Sequence, residues 1–103
     1  MVATKPPRLT LETLRVLRVI ADSRDGAAGS QIAKIAKLSS GTLYPILFRL
    51  ERAGWLTSRW ETEMPQALGR PRRRLYSITG KGVAHMRPVE DELASLGRLQ
   101  WTS

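Results

Sequence analysis

The stretch Ser39-Ser40-Gly41-Thr42-Leu43-Tyr44-Pro45, continuing as Ile46-Leu47-Phe48-Arg49-Leu50-Glu51-Arg52-Ala53-Gly54-Trp55-Leu56, decides the fold of this chain. Ser39 precedes an apolar-periodic run, the position from which a hydroxyl accepts a free backbone N–H of a first helical turn. Leu43, Leu47 and Leu50 stand at i, i+4 and i+7, the buried stripe of a helix. Gly54 then occupies the place where a helix ends in a left-handed conformation that costs glycine little. The segment reads as a helix with an apolar trailing face and a polar leading end formed by Ser39, Ser40 and Thr42.

Upstream, Ser30 to Lys37 is a short amphipathic helix, with Ile32, Ile35 and Ala36 expected inward and Gln31, Lys34 and Lys37 outward. Only Leu38-Ser39 separates the two helices. Further back, Thr10 is the expected N-cap of a first helix, with Leu9 and Leu14 as a hydrophobic staple. Its apolar positions Leu11, Leu14, Leu17, Ile20 and Ala21 recur at spacings of three and four before Asp22 to Gly26 ends it. Residues 1–8, with two prolines and little to bury, read as a flexible basic arm.

Downstream, Leu56 to Glu61 and Arg73 to Ile78 alternate with the period of half-buried strands. Between them, Glu63 to Arg72 holds two prolines and a glycine and reads as a long, mobile wing tip, running into the basic Arg70-Pro71-Arg72-Arg73-Arg74. Thr79 caps a last helix in which Met86, Val89, Leu93 and Leu96 repeat at 3-4-3, with Leu99 beyond, a seam of coiled-coil type. Pro88 falls inside that seam and predicts a kink or break. The expected fold is therefore mainly α with a small β-hairpin wing. Residues 9–78 form a winged helix-turn-helix and residues 79–103 a dimerisation helix, within a chain of 103 residues that is one small domain.

Hydrophobic residues make up 42% of the chain and charged residues 25%, the balance of an ordinary globular protein. No apolar run approaches the ~18 residues of a membrane-spanning helix. With no cysteine, neither disulfides nor thiolate ligands arise, which suits a reducing cytoplasm. The net charge of +8 is unevenly spread. Residues 1–8 carry +2, residues 26–58 carry +3 and residues 59–78 carry +3, while residues 9–25 and 79–103 are neutral. Segregation onto the arm, the helix pair and the wing predicts a surface that faces a polyanion.

Gly41-Thr42-Leu43-Tyr44-Pro45, then Leu47, Leu50-Glu51, Gly54 and Leu56, then Gly69-Arg70-Pro71-Arg72-Arg73, Tyr76-Ser77-Ile78-Thr79 and Gly82 resemble the PadR family of winged-helix regulators. The resemblance spans roughly residues 11 to 87. It implies a transcriptional repressor that binds a dyad operator in double-stranded DNA as a homodimer joined by its C-terminal helices. It also implies, as a candidate partner, a small aromatic effector held between subunits. The chain departs from the family in three places: Ser40 stands where proline is usual, helix 2 is shorter, and one short C-terminal helix replaces a longer helical domain.

The residues expected to meet DNA are Ser39, Ser40, Thr42, Tyr44, Pro45 and Arg49 on the second helix of the pair, Gln31 and Lys34 on the first, and Arg70 and Arg72 on the wing. Hydroxyls and free N–H groups at a helix start suit phosphate or base-edge contacts. The alternative for the serines and threonine is plain capping, and for Tyr44 packing beneath helix 2; direct contact is favoured for Thr42 and Tyr44. Phe48, Trp55 and Trp60 are expected to pack inward, and for Arg74 a pair with Glu61 or Glu63 across the wing is as open as a nucleic-acid contact. The dimer seam is assigned to Met86, Val89, Leu93, Leu96 and Leu99, with Trp101 beside it. A lone His85, no cysteine and no phosphate-cradling glycine loop leave no metal site, cofactor site or enzyme machinery to expect. The competing class is an architectural nucleic-acid binder or a winged-helix protein-interaction module. Hydroxyls in place of lysines at the helix start favour base or shape reading.

Overall fold

A computed structural model describes residues 6–102, with side chains up to residue 97. Thr10 opens α1 (Leu11–Ala21) as expected, its Oγ1 accepting the Thr13 N–H at 3.1 Å. Thr13, Leu14, Val16, Leu17 and Ile20 form its buried face. Leu11 is exposed, contrary to expectation, and Val16 takes the inward place. Steps of three lag a true helical turn, so a 3-3-3 run from Leu11 drifts around the cylinder.

A two-residue strand absent from the sequence reading, β1 (Ala27–Ala28), leads into α2 (Gly29–Ala36). It pairs antiparallel with β3 (Arg74–Ile78), Ala27 opposite Tyr76 and Ala28 opposite Leu75. Lys37 closes α2 in the left-handed region, at φ 58°, and its N–H reaches the Ala33 carbonyl. The C-terminal carbonyl of Ala36 also accepts from Arg15 of α1 at 3.3 Å. Gly29, Ile32 and Ala36 face the core, whereas Ile35 points outward. One residue is ~100° of helix, enough to carry Ile35 off a face centred on Ile32 and Ala36.

α3 (Ser40–Arg52) buries Leu43, Ile46, Leu47 and Leu50. It ends in paired bonds, Trp55 N–H to the Leu50 carbonyl and Gly54 N–H to the Glu51 carbonyl, with Gly54 at φ 82°. This turn drives the chain straight into β2 (Leu56–Trp60), which pairs with β3 from Leu56 opposite Ile78 to Trp60 opposite Arg74. The sheet order is β1-β3-β2, a hairpin wing with one short strand added to its inner edge. Where a mobile tip was expected, one helical turn, α4 (Pro65–Leu68), is closed by Gly69 at φ 68°.

α5 (Gly80–Thr102) is one continuous helix through Pro88, so of the expected kink or break the break does not occur. Pro88 and Ala84 are both exposed, and the Ala84 carbonyl that loses its N–H partner to the proline can turn to water. The start of α5 is locked to the corner between α3 and β2. Thr79 Oγ1 donates to the Gly54 carbonyl at 2.6 Å and accepts the Gly82 N–H at 3.1 Å. A Cβ on Gly82 would collide with the Trp55 carbonyl oxygen and lie 2.8 Å from Ile78 Cγ1. Trp55 is buried as expected, stacked on His85 with ring centroids 4.3 Å apart.

The expected dimer seam divides. Met86 is buried in the core of its own chain and Val89 packs beside it, so Met86 is unavailable to a partner. The reason is tertiary: this half of α5 packs its apolar side on the core, and Glu90, one turn on, pairs with Arg18 of α1 at 2.9 Å at its margin. Leu93 and Leu96 lie beyond that pair, 47% and 51% exposed. The side chains of Leu99 and Trp101, and residues 1–5 of the arm, fall outside the described residues.

Candidate nucleic-acid interface

The leading end of α3 is built by Ser39. Its Oγ accepts the Thr42 N–H at 3.3 Å and donates to Thr42 Oγ1 at 3.1 Å. Because Thr42 Oγ1 accepts the Ser39 proton, its own hydroxyl proton remains available to an acceptor outside the chain. Ser39, Ser40, Gly41 and Thr42 are all exposed. Capping and outward presentation are thus the same arrangement at this end.

At ~100° per residue, the face of α3 opposite its buried stripe carries Gly41, Pro45, Phe48 and Arg52, all exposed. Phe48 is 64% exposed, against the expectation that it packs inward. The stripe of Leu43, Ile46, Leu47 and Leu50 already fills the core side, leaving Phe48 the far side of the helix. Thr42 and Arg49 lie on one flank, where Arg49 borders a cleft with Pro7, Arg8 and Thr10. Tyr44 and Glu51 lie on the wing flank, bordering a groove with Phe48, Arg52, Arg74 and Tyr76.

Tyr44 is half-exposed and also packed. A Cβ on Gly29 would collide with the Tyr44 hydroxyl and lie 2.9 Å from its ring, so the missing side chain of Gly29 is what seats the phenol beneath α2. Gln31 is exposed, but its Oε1 accepts the Ala28 N–H at 2.9 Å, committing that oxygen to the start of α2. Lys34 is exposed on the same helix.

The wing arginines have separate partners. Arg70, expected to reach DNA, forms a two-pronged pair with Glu61, at 2.6 and 3.0 Å. Glu61 also accepts the Arg73 N–H at 2.8 Å, while its own N–H donates to the Arg73 carbonyl. These bonds hold the Glu61 carboxyl down to a pKa of about 2, the Arg70 contact being the largest cause, and raise the Arg70 guanidinium further. Arg70 is therefore the brace of the wing. Arg74, for which a pair with Glu61 or Glu63 stood open, donates to Ser58 Oγ at 2.7 Å and to Glu51 of α3 at 3.4 Å. Ser58 in turn donates to the same Glu51 oxygen at 2.5 Å, which ties wing to helix. The Arg74 guanidinium lies 5.9 Å over the Trp60 ring, and Trp60 is exposed rather than core. Burial of Tyr76 beneath this cluster pushes its phenol pKa up. Arg72 is exposed near the tip, steadied by the Glu63 carbonyl at 2.9 Å.

A family model for the transcriptional regulator PadR-like family matches residues 27–88, more than half of the chain. The chain belongs to the PadR-like family. That family is described as one of transcriptional regulators. Among solved structures, a PadR family transcription regulator from Clostridium difficile superposes with a TM-score of 0.73 at 21% identity, covering 91% of this chain and 100% of that one. A PadR-like regulator from Bacillus cereus gives 0.70 at 20% identity, with 89% and 88% covered. The Staphylococcus aureus MepR G34K mutant gives 0.75 at 18%, and this chain, 91% covered, spans 65% of its length. At these identities the likeness is one of fold. No curated protein matches the chain in sequence. Among the described residues of this PadR-like chain, no cluster of three or more His, Asp or Glu could hold a metal ion, and no helix is long and apolar enough to cross a membrane.

Sequence reasoning missed Phe48 and Arg52 as members of the outward face. The signal was present, since both fall opposite Leu43 and Leu50 once the helix is drawn at 3.6 residues per turn. The Arg70–Glu61 pair left no such signal, because it depends on how the wing folds back.

Proposed function

We propose that this PadR-like chain is a homodimeric repressor that inserts α3 into the major groove at each half of a dyad operator. The observation that carries the reading is the outward end of α3, with Ser39, Ser40, Thr42 and Tyr44 exposed between two cationic flanks. Arg49 stands on one flank, Arg52 on the outermost line of α3 and Arg74 on the wing side, bordering the groove with Tyr44; Lys34 adds charge from α2. Phosphate contacts from such groups set register, and hydroxyls at a helix start reach base edges or backbone oxygens. Dimerisation is assigned to Leu93 and Leu96, the exposed leucines of α5, with Leu99 and Trp101 continuing the seam by sequence. Two recognition helices so joined would stand ~34 Å apart, one turn of duplex. A dimer seated on a promoter excludes polymerase, which is repression without an effector. The reading places the protein in the cytoplasm, where DNA is reachable.

Selecting bound fragments from a random duplex pool with the full chain tests this. Inverted half-sites about one turn apart are the expected product. A pool with no enriched motif would return the chain to the architectural class.

A further inference from the structure

We propose that Phe48 reads the 5-methyl groups of thymines, so that operator recognition depends on an apolar contact at the centre of α3. This rests on the DNA-binding reading above and narrows it to the chemistry of base recognition. Phe48 is the single phenylalanine of the chain and is 64% exposed. It shares the outermost line of α3 with Gly41, Pro45 and Arg52. Gly41 has no side chain, and a Cβ there would meet nothing within 4 Å. Pro45 has neither an N–H nor a polar atom in its ring. Three of the four residues on this line therefore offer no side-chain donor or acceptor, and the line cannot pair with guanine or cytosine edges except through Arg52. The apolar group that a major groove presents is the thymine methyl.

Charge selects this occupant over a second copy of the chain. Arg49 and Arg52 lie beside the ring, Lys34 is on α2 and Lys37 at its end, all exposed, while Glu51 on the wing flank is already paired with Arg74. A two-fold protein contact through this face would set like charges against each other, whereas a duplex neutralises them. The phenyl ring sits one turn beyond Tyr44, past the capped end of α3, so a helix entering end-first would bring Tyr44 and Phe48 successively along the groove.

The experiment replaces each thymine of the selected duplex, one at a time, with uracil, which removes only the methyl group. Affinities of the full chain and of Phe48→Ala are read by fluorescence anisotropy. Removal of a buried methyl should weaken the wild type about fourfold, at one or more positions in each half-site. Phe48→Ala should bind thymine and uracil duplexes alike at those positions. Equal wild-type binding to every uracil duplex overturns the proposal without needing any variant. Undiminished discrimination by Phe48→Ala also overturns it, moving the contact to another residue. Loss of dimer in Phe48→Ala, with the wild type indifferent to the methyl, makes the ring a protein contact and overturns it too. Failure to select any duplex is a different result and defeats the functional reading itself.

Discussion

Two glycines show how one atom sets the interface and the fold apart. At Gly82 an added Cβ meets backbone, the Trp55 carbonyl, which can yield only if α5 lifts from the corner between α3 and β2. Gly82→Ala is expected to cost about 1–3 kcal/mol, the usual range for overpacking, read as a lower urea midpoint. At Gly29 the added atom meets the Tyr44 ring, a side chain already half in solvent. Gly29→Ala should therefore melt close to wild type while displacing Tyr44; a large loss of stability there would show the phenol to be structural. Glu61 carries a pH signature. Its carboxyl titrates near 2 in the folded wing, against 4.5 for the free group, because Arg70 and the Arg73 N–H favour the ionised form. A depressed carboxylate stabilises the fold fully above the unfolded value and loses that contribution as pH falls through the folded one. The gap in urea midpoint between wild type and Glu61→Gln should hold steady above pH about 5 and close as the pH approaches 2. A gap that widened in acid would contradict the assignment.

At the scale of elements, α5 performs two tasks along one length. Its first half belongs to the core through Met86, Val89 and the Trp55–His85 stack, and it meets α1 at the Arg18–Glu90 pair. Its second half presents Leu93 and Leu96 to solvent. Substitutions should separate the halves. Met86→Glu should unfold the monomer, since an unpaired buried carboxylate is costly. Leu93→Glu or Leu96→Glu should leave melting of the monomer intact, give monomers in sedimentation, and weaken binding to a dyad duplex far more than to one half-site. Dimers of normal affinity in both leucine variants would move the interface elsewhere. The wing divides similarly: its inner end is stapled to α3 by Arg74, Ser58 and Glu51, and its outer end closes on Glu61.

For the whole molecule, charge gives the broadest test. Binding driven by phosphate contacts makes log affinity fall linearly with log salt, by ~0.9 for each phosphate neutralised. Arg72, exposed and held among the described residues by a carbonyl and the Met64 sulfur, is a candidate for one such contact. Arg72→Ala should flatten the slope by about one contact without changing the selected sequence. Arg70→Ala should instead loosen the wing and leave the slope nearly unchanged, because that guanidinium is already neutralised by Glu61. An equal flattening by both would mean that Arg70 leaves its carboxylate when DNA arrives.

The sequence by itself determined the order of elements, the caps at Thr10 and Ser39, the turn at Gly54 and the helix-turn-helix with its wing, because each follows from period, capping chemistry or backbone freedom within a few residues. Tertiary structure alone decided that Met86 of the expected seam belongs to the core of its own chain. Trp60 is as apolar as the buried Trp55, and only the tertiary structure left it outside. It also decided which arginine met which acid, since Arg70 reaches Glu61 across nine residues and Arg74 reaches Glu51 across twenty-three. Such pairings depend on where the chain returns in space, and no local spacing encodes that.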